Sequence, residues 1–138
     1  MSDKIKIEKC RFFYLRKHIN EEGLVLRCEA FDNDTDHCYS VTQYFYNEQK
    51  RLIKEAIDVD NEQERSHTEA TWTYPDDWWI RESIKHYEYS AQGHRDERCI
   101  ERYKDSIVIR DTYDLETGNL IDHETCSGEE ELKENYNQ

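Results

Sequence analysis

Two short pairs hold residue types that could transfer protons. His67 stands two residues before Glu69 and His86 two before Glu88, and on a strand that spacing turns both side chains of a pair to one face. An imidazole beside a carboxylate can serve as a base and its orienting group, the chemistry of a nuclease or phosphodiesterase. The same spacing also describes any strand with a solvated outer face, so a small enzyme stays an alternative and no catalytic residue is assigned. Other chemistries lack their motifs. Gly23, Gly93, Gly118 and Gly128 form no G-x-G or G-K-S/T loop to cradle phosphates, and no metalloprotease, zinc-deaminase or α/β-hydrolase signature is present. Cys10, Cys28, Cys38, Cys99 and Cys126 contain no C-x-x-C pair, and no spacing of Cys and His suits zinc, so reduced, mostly buried thiols and no metal or cofactor are expected. Asp32-Asn33-Asp34-Thr35-Asp36 opens like a calcium loop, but His37 and Gln43 stand where an EF-hand needs Gly and a carboxylate. It reads as a turn.

A different chemistry, protein recognition, is suggested by Trp72, Tyr74, Trp78 and Trp79 around the only proline, Pro75, with Asp76 and Asp77 beside them. Aromatic side chains supply large contact area at small entropic cost. Trp72 reads as core and one of Trp78 and Trp79 as exposed, so Trp78, Trp79, Asp76 and Asp77 are candidate partner-binding residues. The charge adds a second group. The net charge is −13, and residues 111–138 hold one Lys against nine Asp or Glu while residues 1–30 hold seven Lys or Arg against five. Asp111, Asp114, Glu116, Asp122 and Glu124 are therefore candidates to present acids where a basic protein expects phosphates. An acidic surface disfavours direct contact with DNA or RNA and suits a basic partner, such as a nuclease groove.

In size and composition the chain resembles phage-encoded inhibitors of host defence nucleases, anti-CRISPR proteins among them, and the immunity proteins that neutralise nuclease toxins. The resemblance implies a non-catalytic inhibitor that mimics nucleic acid. The alternatives are a small-molecule or nucleotide-binding domain or small phosphodiesterase, with His67, His86 or Trp72 facing a concavity, and a viral structural or assembly protein, which would form a defined homo-oligomer.

The elements that must position these residues read as follows. Ile5 to Leu15 and Leu24 to Phe31 form a strand hairpin around Asn20-Glu21-Glu22-Gly23, and Cys38 to Tyr46 adds a strand. Glu48 to Ile57, with Asn47 as N-cap and Leu52, Ile53, Ala56 and Ile57 on one face, predicts an amphipathic helix. Residues 58–68 read as a loop and 69–74 as a strand ended by Pro75. Residues 76–89 fit a helix or a strand, the strand favoured by aromatic and β-branched content. Beyond a break at residues 90–93, Cys99 to Tyr103, Ser106 to Tyr113 and Leu120 to Cys126 are strands, the last two a hairpin.

Of 138 residues, 37% are charged and 36% apolar, and Leu, Ile, Val and Phe together make about 19%, a share typical of disordered chains. Ten Tyr and three Trp favour a folded domain with a thin aromatic core instead. No apolar run approaches the ~20 residues of a membrane span and the start lacks an export signal, so a cytoplasmic chain without membrane contact is expected. The expected fold is α+β: one antiparallel sheet of about six strands with a single helix packed on it, spanning residues 1–126, followed by an acidic, frayed tail at 127–138.

Overall fold

A computed structural model describes residues 3–127. These residues are all β. Ten strands, β1 (Lys4–Lys9), β2 (Phe13–Ile19), β3 (Val25–Asp32), β4 (Cys38–Tyr46), β5 (Leu52–Asp60), β6 (Glu64–Thr73), β7 (Trp79–Ser90), β8 (Glu97–Lys104), β9 (Ile107–Asp114) and β10 (Leu120–Ser127), follow one another in a single open sheet. Every neighbour pair is antiparallel and consecutive, a meander from β1 to β10. The expected α+β architecture is thus corrected to all-β, six strands to ten, and the predicted helix is absent. Among the described residues no helix is long and apolar enough to cross a membrane. The acidic tail expected from residue 127 lies outside the described residues, Ser127 excepted.

The helix expected over Glu48 to Ile57 fails for a definable reason. Asn47 does act as a cap, but of a turn: its Oδ1 accepts from the Gln49 and Arg51 backbone N–H groups at 3.0 and 2.9 Å. Beyond that turn, β5 finds ladder partners on both sides, β4 and β6. A ten-residue helix is marginal alone, and two complete ladders outweigh its amphipathic stripe. Residues 58–68, expected as a loop, are the end of β5, a short turn at Asn61 and the start of β6. Their polarity misleads because a single-layer sheet has solvent on both faces, so its strands need no apolar side.

The turns follow one chemistry. Asn20, Asp32, Asn47, Asn61 and Asp114 each accept two backbone N–H bonds through a side-chain oxygen at the end of a strand or one residue beyond it, the Asx-turn preference of these residues. Turns 20–24 and 47–51 also share their backbone bonds, from residue 23 or 50 back to the Asn carbonyl and from the Asn N–H to residue 24 or 51. Gly23 occupies the left-handed position in the first (φ +86°), whereas Lys50 is forced there in the second (φ +65°). A β-carbon at that φ costs roughly 1–2 kcal/mol, partly offset by its smaller unfolded entropy. Lys50→Gly is therefore expected to raise stability by about 0.5–1 kcal/mol, read by denaturant unfolding; no gain would mean that the turn relaxes around Lys50.

The core is thin. Ala30, Phe31, Ala70 and Val108 are its buried apolar residues, and Glu29, Ser66, Ser83, Glu101 and Asp114 are buried with them. Ala70 is fully enclosed, with Glu55 and Ser83 as its cross-strand partners. A larger side chain there has nowhere to go, so Ala70→Leu is expected to cost roughly 1–3 kcal/mol, measured by the same unfolding; an unchanged midpoint would show the site to be open.

Candidate functional site

Cross-strand partners share a face, so the registers sort the side chains onto two sides of the sheet. One side carries an ion-pair ladder. Arg81 lies between two carboxylates, its Nε 3.3 Å from Glu55 and its Nη1 2.9 Å from Glu101. Arg110 continues the ladder, 3.2 Å from both Glu101 and Glu124. Trp72 donates its indole N–H to Glu55 at 2.5 Å, and Tyr103 its hydroxyl to Glu101 at 2.7 Å. Burial alone would raise the Glu101 carboxyl, but the Tyr103 hydrogen bond and the charges of Arg81 and Arg110 outweigh it and hold the group below its ordinary range. The same burial and the Glu101 carboxylate push the Tyr103 hydroxyl upward. These side chains satisfy one another and form the polar equivalent of a core.

The other side carries imidazole–carboxylate pairs. His67 and His86 are direct cross-strand partners on β6 and β7. His67 Nδ1 lies 2.7 Å from Asp58, and His86 Nδ1 2.9 Å from Asp96. Two further histidines pair in the same way, His18 with Glu29 at 2.8 Å and His123 with Asp111. Of the two pairs spaced two residues apart, His67 meets Glu69, its Nε2 3.8 Å from the carboxylate, with Asp58 closer on Nδ1, whereas the acid on His86 is Asp96, from the β7–β8 turn. Asp58 reaches His67 through the β5–β6 register and Asp96 reaches His86 from the β7–β8 turn. His67 and His86 line a common cleft of about 440 Å³ with Asp58, Asp60, Arg65 and Glu88, and Arg65 lies over the Tyr89 ring at 5.8 Å.

The aromatic candidates cluster at the end of the sheet where β6 turns into β7. Trp78 closes the turn with its N–H on the Pro75 carbonyl at 3.0 Å, and Lys104 lies over its ring. Trp79 is 54% exposed, yet it is held: Tyr74 meets it edge to face at 5.8 Å, and Arg51 stacks over Tyr74 at 3.5 Å and Trp79 at 5.5 Å. Behind them Trp72 stacks between Tyr74 and Tyr103, half-buried and outside the buried apolar set. Asp76 and Asp77 are exposed in the turn, Asp76 at φ +51°.

The second acidic group is dispersed. Asp114 is buried and caps the β9–β10 turn through the Thr117 and Glu116 N–H groups, and the Thr117 bond, the Arg95 charge and the Glu116 bond outweigh burial and hold its carboxyl below the ordinary range. Asp111 holds His123 and Arg102, Glu124 holds Arg110, and Glu116 pairs with Arg95. Asp122 is exposed on the end strand. The nine candidates thus do not form one surface: Trp78, Trp79, Asp76 and Asp77 come together at one end, while four of the other five are engaged within the sheet. Arg51 is an addition the residue pattern could not supply, because it belongs to a turn expected to be helix.

Among the described residues, no three His, Cys, Asp or Glu side chains converge as metal ligands. Of the five cysteines, Cys10 is exposed and Cys28, Cys38, Cys99 and Cys126 are half-buried. The chain matches no protein-family model, no curated protein and no solved structure.

Proposed function

We propose that the protein is a non-catalytic inhibitor that binds and blocks a basic, nucleic-acid-processing protein through the Trp79 end of its sheet. The observation that carries this reading is an exposed tryptophan already fixed by Tyr74 and Arg51, beside the exposed carboxylates of Asp76 and Asp77. A rigid aromatic anchor loses little entropy on docking, and a rim of acids speeds encounter with a basic surface and excludes acidic competitors. The partner contact should weaken with salt, since the rim charges are exposed and screened. In affinity capture from host lysate, the tagged protein is expected to retain a basic nucleic-acid-processing enzyme at low salt. Trp79→Ala is expected to weaken that complex by about thirtyfold, the effect of losing a ~2 kcal/mol anchor, and Asp76→Lys with Asp77→Lys to slow association. Equal binding by wild type and both variants would overturn the proposal.

A second reading rests on the His67 and His86 cleft. Two imidazoles on adjacent strands, each with a carboxylate on Nδ1, could act as base and acid on a phosphodiester held by Arg65. Under this reading a chromogenic phosphodiester is turned over and His86→Gln lowers the rate by about 100-fold. Equal turnover by wild type and variant removes it.

A further inference from the structure

The two outermost strands of the sheet carry opposite charge. β1 reads Lys-Ile-Lys-Ile-Glu-Lys and β10 reads Leu-Ile-Asp-His-Glu-Thr-Cys-Ser. Each pairs with one described neighbour only, β2 or β9. An end strand offers a row of backbone N–H and C=O groups to any strand of suitable direction. Both ends also expose aliphatic side chains: Ile5 is 62% and Ile7 49% accessible on β1, and Leu120 54% and Ile121 57% on β10.

We propose that copies of this chain assemble head to tail, β1 of one molecule adding as the next antiparallel strand beyond β10 of another. Three features favour that occupant. Direction is the first. An even-stranded meander ends on a strand antiparallel to the one it began with, so a second copy in the same orientation continues the alternation.

Face matching is the second. Ile5 pairs with His18 and begins a row that crosses the sheet on the histidine face, so Lys4 and Lys6 lie on the other. On β10, His123 pairs with Asp111 on the histidine face, while Asp122 and Glu124 pair with Thr112 and Arg110 on the other. A register that sets Lys4 against Glu124 and Lys6 against Asp122 therefore puts lysines and acids on one face of the continued sheet. It also sets Ile5 against His123 and brings Ile7 to the exposed Ile121 beside the β10 bulge.

Exclusion is the third. Pairing β1 with β1 would oppose lysines and β10 with β10 would oppose acids, and like charges directly across a sheet are destabilising. The unlike edges are therefore the better matched, the heterologous contact that builds a ring or a filament.

Sedimentation velocity across a concentration series into the high micromolar range tests this. The wild type is expected to reach at least twice the monomer mass, and to return to monomer as salt screens the edge charges. Lys4→Glu with Lys6→Glu is expected to stay monomeric at every concentration, as is Asp122→Lys with Glu124→Lys. An equimolar mixture of these two variants is expected to regain assembly, since each acidic edge then finds a basic one. The β1 variant alters only an end strand and one exposed Lys6–Glu8 contact, so it serves even if loss of the Glu124–Arg110 pair impairs folding of the other. A wild type that stays monomeric throughout, or variants that assemble as it does, would overturn the proposal. Trp79 and its acidic turn take no part in either edge, so inhibition and assembly fail independently.

Discussion

Arg81→Ala is expected to lower stability by about 3–5 kcal/mol, the usual cost of removing one partner from a buried ion pair. Arg81 is the single cation between Glu55 and Glu101, and all three side chains are largely shielded from water. Without the guanidinium, Glu101 keeps only Arg110 and Tyr103, and Glu55 keeps the Trp72 indole. Two carboxylates then remain in a region built around their neutralisation. Global stability is of the order of 5–15 kcal/mol for an ordinary domain, so a loss of this size removes a large fraction of it. Urea unfolding monitored by tryptophan fluorescence reads the effect, because Trp72 belongs to the same cluster. The complementary experiment replaces the whole set, Arg81→Met with Glu55→Gln and Glu101→Gln, and should recover most of the loss, since an intact apolar or neutral substitute removes the desolvation cost along with the attraction. A single variant as stable as wild type would show that water reaches the ladder freely.

The second large effect is expected at Glu29. This carboxyl accepts from Arg16 at 2.9 Å and lies 2.8 Å from His18, and it is only 7% exposed. The Arg16 hydrogen bonds outweigh burial and, with His18, hold its pKa at about 2, below the ordinary 4.5. A carboxyl whose folded pKa is depressed favours the folded state once it is ionised in both states. Its contribution is therefore complete above about pH 4.5 and is lost as pH falls from 4.5 towards 2. The difference between those values corresponds to about 3 kcal/mol. Glu29→Gln is expected to destabilise by about that amount at pH 7, and the gap between variant and wild type should close as pH falls through that window. A gap that is unchanged at pH 2.5 would show that packing, and not charge, makes Glu29 matter.

Both effects arise from the way this chain builds an interior. A two-layer domain hides apolar residues between layers, whereas here a single sheet is stabilised by ladder hydrogen bonds, stacked rings and cross-strand ion pairs. That explains how a chain with so few aliphatics folds. It also explains which parts of the fold were legible. Asn20 with Gly23 announces its turn through side-chain capping and left-handed glycine, local effects that need nothing distant. The strands rich in β-branched and aromatic residues, such as Cys38–Tyr46 and Ile107–Asp114, were legible for the same reason. Pro75 marked the end of a strand correctly, and the aromatic content of residues 79–89 favoured the strand they form.

The helix at residues 48–57 was misread because Asn capping and an i, i+4 apolar stripe serve a helix and a turn-plus-strand equally well. Only β4 and β6, arriving from elsewhere in the chain to pair with β5, decide between them. The polar strand at 64–68 was invisible because amphipathic alternation reports a buried face, and this sheet has none of the usual kind. The candidate site divides along the same line. The residue types alone marked Trp78, Trp79, Asp76 and Asp77 as a group, since they are neighbours in the chain and stay so in the fold. The acids of residues 111–124 have the same chemistry but different fates, because an acid's availability depends on which cation or amide its cross-strand neighbours supply. Arg95, Arg102 and Arg110 take up Glu116, Asp111 and Glu124, and two backbone amides take up Asp114. Composition and local spacing determined the turn at Asn20, the aromatic cluster around Pro75 and the negative net charge. Register determined the rest, because a partner across the sheet is fixed by hydrogen bonds between strands that local spacing does not encode.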